Sequence, residues 1–276
     1  LNDVTTGGQN TSIGSYSGDS ITTGSNNTFL GYLSGAGTTT SSANVGLGRS
    51  ALQNNTTGSN CIAIGYQALE SNTTAEGNTA VGLQALRLNT TGYRNVAVGK
   101  QSLATITTGI QNVAMGNNAL ELSTANDCTA VGYYALGVNT TGTRNIAVGG
   151  LALDANTTAS YNVAVGYAAL SNNTTATGNV AVGDSALGST TTGSNNTAVG
   201  SFNGSTLPAL YNNTTGVNNT AVGQGALATT VTHSDNTAVG VNTLRDSNGG
   251  EANVAVGSRA GETITTGDRN TLIGAV

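Results

Sequence analysis

A five-residue stretch, Asn95-Val96-Ala97-Val98-Gly99, recurs along the whole chain and constrains its fold more than any other feature. Gly14, Gly31, Gly48, Gly65, Gly82, Gly99 and Gly116 each close a copy, 17 residues after the last. One step of 16 leads on to Gly132, Gly149, Gly166, Gly183 and Gly200, and one step of 23 to Gly223, Gly240, Gly257 and Gly274. These 16 copies occupy residues 1–276 as a single repeat array and leave no room for a separate domain. A fixed period this short means stacked supersecondary units, each touching only its neighbours.

One unit reads Asn78-Thr79-Ala80-Val81-Gly82-Leu83-Gln84-Ala85-Leu86-Arg87-Leu88-Asn89-Thr90-Thr91-Gly92-Tyr93-Arg94. Asn, Thr and Gly are poor helix formers, and 17 residues do not suit a helix pair. The segment around Val81 is short, β-branched and closed by Gly, which predicts a strand meeting a turn. Ala85-Leu86 is read as a second short strand, and Asn89-Thr90-Thr91-Gly92 as the turn that returns the chain to the next coil. The motif Gly is invariant among the copies, as a position needing φ > 0 or close backbone approach would be. The Gly of the Asn-Thr-Thr-Gly turn gives way to Ser41, Ala75, Ala159, Ala176 and His233, so ordinary backbone angles are expected there. The Asn that opens the motif is expected to stack amide to amide on its equivalents. The fold class is therefore all-β, a parallel β-solenoid of about 16 coils.

Side chains alternate along a strand, so in Val96-Ala97-Val98 the valines face one way and Ala97 the other. Both faces are apolar and both call for burial. One can line the coil; the other needs a cover, and other copies of the chain are the expected source. The expectation is parallel, in-register association, most simply of three chains. Leu1 falls where Leu69 and Leu86 fall in later units, the chain stops just after Gly274, and neither end carries a polar cap. Uncapped solenoid ends expose strand edges, which suggests a segment of a longer fibre. Sixteen coils at ~4.8 Å would give a rod of about 75–80 Å.

These units, Asn78 to Gly82 followed by Ala85-Leu86 and Asn89-Thr90-Thr91-Gly92, resemble repeats of phage tail-fibre and bacterial surface proteins, including those preceding endosialidase-type chaperone domains. They are similar, more distantly, to the head repeats of trimeric autotransporter adhesins, which have a shorter period. The resemblance implies a left-handed parallel β-roll packed as a homotrimer in an extracellular attachment fibre, on a virion or a bacterial cell surface. It also implies a cell-surface glycan or protein receptor.

Composition narrows the alternatives. Only 8% of residues are charged, the net charge is −5, and the eight basic residues are scattered, so nucleic-acid binding is not expected. No apolar run reaches the ~18–20 residues that span a bilayer, and membrane insertion is not expected. Cys61 and Cys128 both take the Asn slot of the motif; four coils apart, roughly 19 Å, they are too distant for an intrachain disulfide. The one histidine, His233, sits in a turn slot and is expected to be solvated. Asp154 and Asp184 fall at different repeat slots, and Glu70 and Glu76 flank opposite ends of a turn, so no pair of catalytic carboxylates is indicated. No grouped His, Cys or carboxylates suggest a metal, and no Gly-Lys-Ser/Thr follows the glycines. No catalytic residue, cofactor or metal site is assigned, and no enzyme activity is expected.

Irregularities supply the candidate contact residues. The long step inserts Asn203-Gly204-Ser205-Thr206-Leu207-Pro208 beside Phe202, with the only proline of the chain. Phe202, Asn203, Leu207 and Pro208 are candidates for a contact knob, since solenoid insertions bulge from one corner; a tolerated surface loop is the plainer reading. Tyr32, Tyr66, Tyr133 and Tyr167 each follow a motif Gly and are expected along one edge, either covering backbone or offering rings to a sugar. The short step at 121–127 reads as a trimmed turn, and Asn248-Gly249-Gly250 as a turn variant. Thirteen of the 16 corners carry a Thr pair, which raises an ice-binding solenoid as an alternative. Adjacent Thr side chains diverge on a strand, however, and Gly and Asn beside them favour a turn. A carbohydrate-binding fibre segment is the second alternative.

Overall fold

The computed structural model describes residues 3–247 and 249–275; Leu1 and Asn248, invoked above for register and for a turn, lie outside them. Sixteen strands of three residues each, and no helix, occur among the described residues. The chain divides into two compact units, residues 1–140 and 141–276. The first holds β1 (Thr11–Ile13) to β8 (Thr129–Val131), the second β9 (Ile146–Val148) to β16 (Thr271–Ile273). Within each unit every strand pairs in parallel with the next, in strict repeat register. In the first unit Val96, Ala97 and Val98 face Val113, Ala114 and Met115; in the second Val163, Ala164 and Val165 face Val180, Ala181 and Val182. Each unit is a β-solenoid with one short strand per coil.

The hydrogen-bond ladder extends well beyond the strands. In the coil from Gly82, the N–H groups of Gly82 and Gln84 donate back to Ile64 (2.7 Å) and Tyr66 (2.9 Å). Those of Leu86, Leu88 and Thr90 donate forward to Ser102, Ala104 and Thr107, and Arg94 donates back to Glu76. Ala85 and Asn89 close local turns onto Gly82 and Leu86. The backbone groups of the corners are thus paired between coils, as buried polar groups must be.

The Ala85-Leu86 segment is not a strand, contrary to the sequence expectation. It is a run of turns in which Gln84 (φ 58°) and Leu86 (φ 51°) take the left-handed conformation. The reason lies in the core. Ala85 and Leu86 are both fully buried, whereas neighbouring residues of a strand would point to opposite faces. Left-handed residues turn both side chains inward while their N–H groups serve different coils. The motif Gly behaves as expected on both counts. Gly82 has φ 135°, and a Cβ there would stand 2.5 Å from the Gly99 carbonyl oxygen. The turn glycine at Gly92 and its equivalents lack positive φ, also as expected.

The core is a column of strand alanines (Ala80, Ala97, Ala114 and their equivalents) facing the Ala-Leu column, all fully buried. Two ladders of buried asparagine flank it. In one, Asn72 Nδ2 donates to Asn55 Oδ1 (2.8 Å) and Asn89 Nδ2 to Asn72 Oδ1 (3.0 Å). This is the expected amide-to-amide stack, but at the turn Asn. The motif Asn works differently: Asn78 Oδ1 accepts from the Asn95 N–H (2.9 Å) and Asn78 Nδ2 donates to the Gly92 carbonyl (2.8 Å). Its side chain chiefly replaces a backbone partner in the next coil; in places, as from Asn112 to Asn95 (3.1 Å), an amide contact is added.

Candidate functional site

The outer face of each sheet is the largest chemical feature. While Ala97 points inward, Val96 and Val98 stand on the outside, half-buried by their own coil. The outer column of the first unit continues through Ile64, Val81, Val98 and Met115, that of the second through Val165, Val182, Val199, Val222 and Val239. Met115 is 42% exposed and Val165 36% in the single chain. Of the two apolar faces read from the strand, the alanine face is enclosed, while the outer face stays partly open and carries two side chains per coil, one column aliphatic and the other Val, Ile or Thr.

The six-residue insertion keeps the register on both sides. Phe202 N–H donates back to Asp184 (3.2 Å), as Gln84 does to Tyr66 in a regular coil, while the Leu207 carbonyl accepts from Gly225 (3.0 Å) in the coil that follows. Because Phe202 already uses the Asp184 carbonyl, the missing N–H of Pro208 costs no ladder bond. Asn203 Oδ1 accepts from the N–H groups of Ser205 (3.0 Å) and Thr206 (2.9 Å) and so holds the tip. Phe202 and Asn203 are exposed, Leu207 is half-buried and Pro208 buried. Phe202, Leu207 and Pro208 line a concavity of about 270 Å³ with Ser185 and Tyr211; Asn203 does not.

The tyrosine edge is partly assembled. The Arg49 guanidinium lies 5.7 Å from the ring centres of both Tyr32 and Tyr66, a cation–π stack across three coils. Tyr16 meets Tyr32 edge to face at 6.2 Å. Tyr133 stands four coils beyond Tyr66 beside Tyr134, and Tyr167 is an isolated exposed ring in the second unit. The stacking of Tyr32 and Tyr66 on Arg49 is a third role, beside the backbone cover and the sugar contact expected from sequence, and ring surface is left open.

A second concavity, about 550 Å³, was not anticipated from sequence. Asn60, Thr74, Ala75, Glu76, Gly77, Thr91, Tyr93 and Arg94 line it. Arg94 lies over the Tyr93 ring at 5.6 Å.

The Thr pairs split. Thr90 Oγ1 donates to the Thr107 carbonyl (3.1 Å), Thr73 to Thr90 and Thr56 to Thr73, so the first Thr is spent on the ladder. The second, as at Thr57, Thr74 and Thr91, is exposed. In the trimmed turn Ala125 supplies the carbonyl that Asn112 Nδ2 reaches (2.9 Å), the role elsewhere of the turn glycine.

Cys61 and Cys128 are both buried, and neither forms a disulfide. Each N–H still donates into the ladder, Cys61 to Asn44 Oδ1 and Cys128 to Asn112 Oδ1, both 2.9 Å. Burial pushes the Cys61 thiol above its ordinary value, away from thiolate reactivity. His233 is half-buried, and its carbonyl accepts from Asn219 Nδ2 (2.8 Å) as the turn glycine does. Glu70 accepts from Gln67 (2.9 Å), and Asp184 from Ser185 (2.6 Å). Among the described residues no three His, Cys, Asp or Glu side chains group as a metal site, and no helix is long and apolar enough to cross a membrane. A scan of protein-family models finds none that matches the chain, and a search of curated proteins finds no similar one.

Proposed function

We propose that the chain is a shaft or head segment of an extracellular attachment fibre, working as a parallel, in-register homotrimer without catalytic activity. The observation that carries this reading is the open aliphatic column, repeated in every coil of both units. An apolar surface of that extent marks an interaction site. A column with one side chain every ~4.8 Å is matched in period by another copy of the same coil. Association would cover the valines that the single chain leaves half in water. The ladders of backbone, Asn and Thr hydrogen bonds give the stiffness that a projecting structure needs, and the insertion at 203–208 and the tyrosine edge remain its candidate contacts with a glycan or protein receptor.

An ice-binding role draws less support, because the first Thr of most pairs is half-buried, with its hydroxyl donating to the next coil as at Thr90. Electron microscopy of the parent particle or cell with an antibody against residues 202–208 tests the proposal. Label along projecting fibres is the expected result; label confined to a soluble fraction or to the cell interior would overturn it.

A further inference from the structure

The concavity beside Gly77 arises from a gap in a row. Twelve residues past the motif Gly of a regular coil the chain adopts the left-handed conformation, as at Asn60 (φ 60°), Gly77 (φ 65°) and Arg94 (φ 58°). Each such residue sends its side chain outward, one per coil. At Gly77 the row has no side chain, and a Cβ built there meets nothing within 4 Å. Asn60 and Arg94, two coils apart, therefore bound a notch roughly 10 Å long. The second unit supplies the comparison. Gly178 occupies the same slot with φ 71°, but a Cβ there would lie 2.6 Å from Asn195 Oδ1, because that side chain leans across the gap. At Gly77 the corresponding neighbour is Arg94, which is drawn onto the Tyr93 ring instead.

The groups around the notch are unspent. Among the described residues no carboxylate lies within ion-pairing distance of Arg94. Thr74 and Thr91 present the exposed member of their pairs, and Asn60 and Glu76 are exposed at the margin. A guanidinium held by a ring face is a preorganised partner for a carboxylate. The flanking amide, hydroxyls and Glu76 offer both donors and acceptors to a polyhydroxylated ring.

We propose that the notch at Gly77 binds an acidic pyranose, a sugar whose ring carboxylate pairs with Arg94 while its hydroxyls reach Asn60, Thr74 and Glu76. The site is complete within one chain. It rests on the attachment reading only in serving as a receptor contact, so its failure would leave the fibre proposal standing, and a monomeric chain would leave the notch intact.

Titration of the isotopically labelled chain with sodium glucuronate, followed by amide NMR, tests it. Saturable shifts at residues 75–77 and 91–94 are expected, with glucose and sodium sulfate far weaker. Gly77→Asn fills the notch with the side chain that Asn60 and Asn195 already carry in this slot, so folding should be retained. It and Arg94→Gln should each weaken glucuronate binding about tenfold or more, whereas Lys100→Gln should not. Absence of saturable shifts would overturn the proposal. Equal response to sulfate would reduce the site to an anion patch, and equal response to glucose would remove Arg94 as its determinant. Unchanged binding by Gly77→Asn would place the ligand elsewhere.

Discussion

Three residues in each regular coil adopt a left-handed backbone, and most of them are not glycine. A side chain in that region costs roughly 1–2 kcal/mol, so the coil holds local strain against its inter-coil hydrogen bonds. Ala168, with φ 50°, gives the simplest test. Ala168→Gly should raise stability by about 1 kcal/mol, where the same change in ordinary backbone would lower it; chemical denaturation measures the difference. Gly82→Ala should cost roughly 3 kcal/mol, because positive φ and the nearby Gly99 carbonyl act together. Asp154 poses a separate question of charge. Burial raises its carboxyl above the ordinary value, and Oδ1 is buried without a hydrogen-bond partner. The folded state then holds the proton more tightly than the unfolded one. The penalty is absent below the ordinary carboxylate range and grows as pH rises through the raised value. Asp154→Asn should therefore stabilise the protein near neutral pH and lose that advantage below about pH 3, as denaturation midpoints at the two pH values will show.

At the scale of the element, a coil tolerates exceptions when its neighbours compensate. Phe29 occupies a slot that holds alanine in most coils and is fully buried. Room comes from glycines where larger residues usually stand: a Cβ at Gly35 would lie 2.5 Å from the Phe29 ring, and one at Gly46 2.9 Å from it. Gly46→Ala should cost about 1–3 kcal/mol with Phe29 present and less in Phe29→Ala, giving a coupling of about 1 kcal/mol or more in a double-mutant cycle. Such compensation shows what a sequence reader can and cannot extract. The strand, the motif Gly and the Asn-Thr-Thr-Gly turn were legible because alternation and turn chemistry are local. The Ala85-Leu86 turns were misread because two adjacent apolar residues suggest a strand unless both are known to face inward. The Phe29 pocket and the Gly77 notch were invisible for another reason: each depends on residues about one period apart, and the absence of a side chain matters only beside its stacked neighbours. The asparagines show the same limit, since the motif Asn was legible as a ladder but not that the amide-to-amide stack runs at the turn Asn instead.

For the whole molecule, the sequence indicated two apolar faces and the fold assigns them: alanine inward and valine outward. Each unit encloses a core of small side chains beside a leucine column, while the aliphatic columns stay partly open. Placing Asp on an outer column, as in Val98→Asp or Val165→Asp, leaves the alanine core untouched and should act on association before it acts on the coil. Sedimentation equilibrium of the purified chain and these variants is the most direct measurement. The account predicts a particle of three times the 27.1 kDa chain mass, shifted toward single chains by either substitution. A stable monomer for the unaltered chain, with its valines in water, would contradict it.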